Sequence, residues 1–112
     1  MVDFLSSTVD NCQIIELPKI QNPSGNITAI NGGKDVPFEI QRIYYLYDIP
    51  GGESRGGHAH IELQQYLVAA SGSFDVNIYD SKQHKTIGLN RPYEALHIVP
   101  GIWRELSNFS SG

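Results

Sequence analysis

Cations are scarce in this chain: 8 lysines and arginines stand against 12 aspartates and glutamates, a formal net charge of -4 over 112 residues. A chain of that balance lacks the basic surface that nonspecific nucleic-acid binding requires. Cysteine occurs once, as Cys12, which excludes an intramolecular disulfide and a cysteine-built structural zinc site and suits a reducing compartment. Nowhere do about 18 apolar residues follow one another, so no membrane-crossing helix is expected. The N-terminal MVDFLSSTVD has neither the basic residues nor the apolar run of a secretory signal. A cytoplasmic protein with no membrane and no nucleic-acid partner is the expectation.

What is present is globular. Forty per cent of the residues are hydrophobic and 18% charged, too apolar a mixture for disorder, and a chain of this size can bury about two-thirds of its unfolded surface in one core. The whole of 1–112 is therefore expected to form a single domain. Eleven glycines and six prolines cut it into short runs rich in Ile, Val, Tyr and Phe, the composition of strands. Those runs are 12–17, 27–30, 38–49, 63–70, 73–79, 86–89, 95–99 and 102–106, with a polar turn over 80–85. No window sustains a helical period and no segment repeats. The spacing predicts an all-β sandwich or barrel.

His58 and His60 carry the chemistry. They flank Ala59 and follow Arg55-Gly-Gly57; on a strand, positions i and i+2 share a face, so both imidazoles would project into whatever the sheet encloses. From Gly52 the spacing runs five residues to His58-x-His60, four to Gln65 and six to Gly72. That arrangement resembles the first cupin motif, in which a Glu follows the histidines as third metal ligand; here the position holds Gln65. Pro100-Gly101, two residues, Arg104, three residues and Asn108 resemble the second motif, in which the fourth ligand is a histidine; here it is Arg104. A neutral amide is a weak ligand and a guanidinium cannot coordinate a divalent ion. No metal and no other cofactor is expected. Two imidazoles beside a fixed cation suit proton transfer next to a developing anion.

Five segments together make the resemblance specific: Phe38-Glu-Ile-Gln-Arg-Ile-Tyr-Tyr-Leu-Tyr-Asp48, Arg55-Gly-Gly-His-Ala-His60, Ala70-Ser-Gly-Ser-Phe-Asp75, Leu89-Asn-Arg-Pro92 and Pro100-Gly-Ile-Trp-Arg-Glu105. In order and spacing they are similar to the sugar 3,4-ketoisomerases, cupins acting on dTDP-4-keto-6-deoxyglucose in pathways that supply deoxyamino sugars to surface polysaccharides. The resemblance implies a cupin-type jelly roll, a homodimer in which N-terminal strands can be exchanged, and movement of a carbonyl from C4 to C3 without metal. It also implies that His58 and His60 are the acid-base pair. The C3 proton lies α to the C4 ketone, so a histidine can remove it to give an enediol, and a second acid reprotonates C4.

The dTDP-linked 4-keto-6-deoxyhexose needs contacts. Arg42, Tyr44 and Leu46 share one face of their expected strand and Ile43, Tyr45 and Tyr47 the other. Arg42 and Tyr44 are assigned to the site, because a mid-strand arginine is costly unless it meets a charge such as a diphosphate. Arg55 is a second candidate for the diphosphate. Gln65 could hold a sugar hydroxyl or fix the tautomer of His60, and Arg104 occupies a position that points inward in cupins. Trp103 could stack on a base or sugar, although a lone Trp in a small β protein is more often a core anchor, which is the preferred reading. His84, in the polar turn, and His97, in a strand, are given no role.

Two positions depart from the family pattern. Ser24 stands in Asn22-Pro-Ser-Gly25 where family members commonly carry an arginine, and the pattern usually continues past Phe109-Ser-Ser-Gly112 into another strand. A jelly roll lacking its last strand, with an exposed edge that invites pairing, is the resulting expectation. A catalytically weak sugar-nucleotide-binding cupin is the alternative that these departures favour; a metal-dependent oxygenase is disfavoured by Gln65 and Arg104.

Overall fold

The computed structural model describes residues 8–50, 52–59 and 64–110, with the backbone alone at 58 and 59. A 3-10 turn at Val9–Asn11 precedes the strands β1 (Ile14–Glu16), β2 (Arg55–Ala59), β3 (Gln65–Val68), β4 (Phe74–Tyr79), β5 (His84–Leu89), β6 (Glu94–Ile98) and β7 (Trp103–Ser107). They pair antiparallel into two sheets, one in the order β1-β6-β3 and the other β2-β7-β4-β5. This is the all-β architecture expected from the turn spacing, consistent with the jelly roll that the family resemblance implies, and among the described residues no helix is long and apolar enough to cross a membrane.

Period-two alternation builds the core between the sheets. Val76 and Ile78 on β4, Leu89 on β5, Leu96 and Ile98 on β6 and Leu106 on β7 join Val9, Cys12, Ala69 and Ile102 in one buried cluster. Each large apolar side chain so buried contributes about 1.5–3 kcal/mol. Burial also pushes the Cys12 thiol above its ordinary value. The chain's start is held by the β4–β5 turn: Asp80 Oδ1 accepts from the backbone N–H of Lys82 and Gln83 at 2.7 and 2.6 Å, and Oδ2 from that of Val9 at 2.9 Å. Those donors hold the Asp80 carboxyl below its ordinary range.

Three expectations are corrected. The polar turn is shorter than 80–85, because the Asp80 carboxylate closes it within three residues and His84 opens β5, its ring stacked on Tyr79 at 4.5 Å. The run 27–30 contributes a single bridge, Ile20 to Ile27, in place of a strand. The run 38–49 forms no strand at all. A strand needs a neighbour whose N–H and C=O groups complete the ladder, and no described strand pairs with this segment. Its apolar side chains remain in solvent, Ile43 81% and Tyr45 80% exposed. Only its root is anchored, where Phe38 packs on Tyr66 and His97 at 5.5 and 6.0 Å and Tyr66 Oη donates to the Asp35 carbonyl at 3.1 Å.

Candidate active site

On β7 the side chains alternate, so Arg104 and Leu106 face the core while Trp103, Glu105 and Ser107 do not. Arg104 is only 3% exposed, and among the described residues it is the one charged side chain in the buried class. An arginine held in the interior demands hydrogen-bonding partners. Its Nε–H donates to Gln65 Oε1 at 2.5 Å. Gln65 opens β3, in the opposite sheet, so this bond spans the space between the sheets.

The neighbours of Arg104 follow from the ladders: His58 lies directly across from it on β2 and Ile78 on β4. Residues directly opposite in an antiparallel pair are the closest neighbours a sheet provides. The described structure therefore brings Gln65, Arg104 and the His58 position together, one from each of β3, β7 and β2. The side chain of His58 and all of His60 lie outside the described residues. Among those residues no three of His, Cys, Asp and Glu gather as metal ligands would. Gln65 Oε1, the position a metal-binding cupin gives to a carboxylate, is already accepting from a guanidinium, a donor set that does not fit a divalent cation.

The other assigned residues fare differently. Arg55 is exposed on β2 and lines a shallow cavity of 350 Å³ with Tyr47, Asp48 and Glu53. Arg42 and Tyr44 are both exposed on the segment without a strand, where the guanidinium lies over the phenol ring at 4.7 Å. The described chain does not bring them to Arg104. Trp103 is not a core anchor: it is 42% exposed, and its indole N–H donates to Glu105 Oε1 at 3.1 Å. Since Arg104 takes the inward position of β7, its neighbour must face out.

Gln65 binds Arg104, a partner the sequence reading did not consider. His97 also has more than the blank role given to it: its Nε2–H donates to Gln64 Oε1 at 2.7 Å, and Tyr66 meets its ring at 5.4 Å. Burial draws its pKa below the ordinary 6.5. Two cations escaped the sequence reading, Lys19 and Arg91. With Asn26, Thr28 and Tyr93 they line a second cavity, 650 Å³ in volume, toward the far end of β3 from Gln65, and Lys19 Nζ sits 4.4 Å over the Tyr93 ring. Lys19 lies in none of the segments that carry the family resemblance, and Arg91, although it falls within Leu89-Asn-Arg-Pro92, was given no role of its own.

Comparison with known proteins places these features in a family context. Residues 10–112 match the sequence model of the family described as FdtA: WxcM-like, C-terminal. The TDP-4-oxo-6-deoxy-alpha-D-glucose-3,4-oxoisomerase of Aneurinibacillus thermoaerophilus is 39% identical over 99 residues, covering 88% of this chain and 71% of its own. The solved WlaRB TDP-quinovose 3,4-ketoisomerase of Campylobacter jejuni superposes with a TM-score of 0.88 at 43% identity, over 93% of this chain and 80% of its own. QdtA, a sugar 3,4-ketoisomerase of Thermoanaerobacterium thermosaccharolyticum solved with TDP, gives a TM-score of 0.88 at 34% identity, over 91% and 74%.

Proposed function

This chain belongs to the WxcM-like, C-terminal family (FdtA), and from that membership we propose an isomerase that moves the keto group of TDP-4-keto-6-deoxyglucose from C4 to C3, with His58 and His60 as acid and base. The single observation that carries the reading is Arg104, a buried guanidinium tied to Gln65 and directly opposite His58. That places a fixed cation beside the position of an imidazole, where a preorganised charge stabilises negative charge that develops during proton transfer.

The reaction needs no net oxidant. One imidazole takes the proton from C3, the C3–H electrons form the C3=C4 bond, and the carbonyl electrons move onto O4. The enediolate so formed carries its charge where a preorganised cation stabilises it most, the role given to Arg104. The proton on O3 passes to O4, the electrons of the C3=C4 bond take up a proton at C4, and C3 becomes the ketone. Gln65 holds the guanidinium between the sheets. Arg55, and Arg42 with Tyr44, are read as contacts for the diphosphate and nucleotide, and Trp103, with its exposed indole, as a surface on which a base or sugar can stack.

A homodimer is part of the same reading. The exposed run of Ile40, Ile43, Tyr44, Tyr45, Leu46 and Tyr47 is rich in strand-forming residues and lacks a ladder to join; β2 and β3 each stand at a sheet edge among the described strands. A second copy would give that segment its neighbour and bring Arg42 and Tyr44 to a site.

Proton NMR of the chain with TDP-4-keto-6-deoxyglucose in heavy water tests the proposal. Loss of the C3 proton signal together with a new 3-keto species is expected. Binding of the sugar nucleotide with no exchange at C3 would overturn it in favour of a binding module.

A further inference from the structure

Between Arg55 opposite Leu106 and His58 opposite Arg104, β2 advances by three residues while β7 advances by two. One extra residue on one strand is a β-bulge. Its consequence follows from the two-residue side-chain period, by which a slip of one residue moves every later position to the other face. Without the bulge, His58 would stand opposite Trp103, on the exposed face of β7; with it, His58 stands opposite buried Arg104. The bulge contains Gly56 at φ +76°, in the left-handed region that side chains with a Cβ avoid. A Cβ built there would lie 2.7 Å from Arg104 Nη1 and 3.9 Å from Leu106 Cγ. The missing side chain is thus the space that the guanidinium occupies.

We infer that Gly56 is a positioning residue for the ketone shift: it sets the register that brings His58 opposite Arg104 and leaves the room in which the Arg104 guanidinium lies. The inference rests on the functional reading above, in which those two residues act on substrate.

The test is Gly56→Ala made in two backgrounds, the native chain and Arg104→Lys, whose shorter head has no Nη1. Two readouts are taken: C3-proton exchange in heavy water and the Arg104 Nε–H resonance in a nitrogen-proton correlation spectrum. In the native background Gly56→Ala is expected to shift that resonance and to slow turnover by about 10²-fold, the cost of small misplacement at a reacting centre. In the Arg104→Lys background the same change is expected to cost less, because the clash is gone and only the backbone strain at φ +76° remains. An unmoved resonance, or an equal fractional loss in both backgrounds, overturns the inference at Gly56. A shifted resonance with full turnover also overturns it, and puts the fault in the role given to Arg104. Should the single variant fail to fold, thermal melts of the double variant decide: a folded double variant supports the clash, and an unfolded one overturns it.

Discussion

Two stretches of this chain each set one arginine among strand-forming residues and meet opposite fates. The segment 38–49 and the strand β7 each mix apolar with polar residues, and each carries one arginine, Arg42 and Arg104. β7 lies between β2 and β4, so its backbone groups are paired on both sides, its inward positions are buried, and its arginine is held in place by Gln65. The segment 38–49 has no ladder among the described strands, and its arginine rests on Tyr44 in solvent. Propensity makes a strand possible, and a partner makes it one. A side chain's functional precision follows from the second condition.

The largest effect that sharpens this contrast is on turnover. His58→Ala should slow it by about 10² to 10⁴, the worth of a positioned acid or base, and Arg104→Ala by about 10² to 10³, the worth of a preorganised oxyanion donor. Arg42→Ala should instead raise KM and weaken TDP binding while kcat holds. Steady-state kinetics with isothermal titration of TDP separates the two. Equal losses of kcat at Arg42 and Arg104 would erase the distinction between the regions.

Stability offers the next break. Leu96 is fully buried in the core cluster, so Leu96→Ala should cost about 2–5 kcal/mol in denaturant melts at any protein concentration. Ile43→Asp, on an exposed side chain, should leave the fold's circular dichroism intact. If the proposed homodimer forms through this segment, the substitution should shift the chain from dimer to monomer in sedimentation and lower the melting temperature only as mass action on that dimer requires. A loss of fold in Ile43→Asp monomers would mean that the segment is part of the core after all.

The same contrast explains what was legible in the sequence. Six of the seven described strands were, because glycines and prolines punctuate the apolar runs that hold them; β2, Arg55–Ala59, fell in none of those runs and was treated as a strand only through the spacing of its histidines. The segment 38–49 was not, since whether a neighbour exists is a fact about the rest of the molecule, not about the run. Trp103 was misjudged by treating it alone. Once Arg104 is placed inward by its motif position, alternation forces its neighbour outward, so the two assignments were never independent. Gln65 was read toward sugar and His60, and the partner seen among the described residues, Arg104, lies 39 residues on in the other sheet. The bulge at Gly56 was hidden because a glycine pair before the histidines announces a turn as readily as an insertion into a ladder.

The smallest effect concerns His97, which clasps the root of the exposed segment through Phe38 while Gln64 holds its Nε2 and Gln13 accepts from its backbone N–H. Burial lowers its pKa in the folded chain, so below its ordinary value near 6.5 the unfolded chain binds more protons than the folded one. The stability that neutral His97 contributes is therefore complete above about pH 6.5 and is lost as pH falls from there toward the folded value. Asp35 and Asp80 are shifted downward by the backbone and side-chain donors around them, and their contribution is lost only in the separate range below about pH 4. Melting temperatures taken from roughly pH 7.5 to roughly pH 5.5 should decline, and His97→Gln, which keeps a donor toward Gln64 but cannot titrate, should flatten that decline. An unchanged slope in His97→Gln would move the titration to another histidine and leave the clasp indifferent to protons.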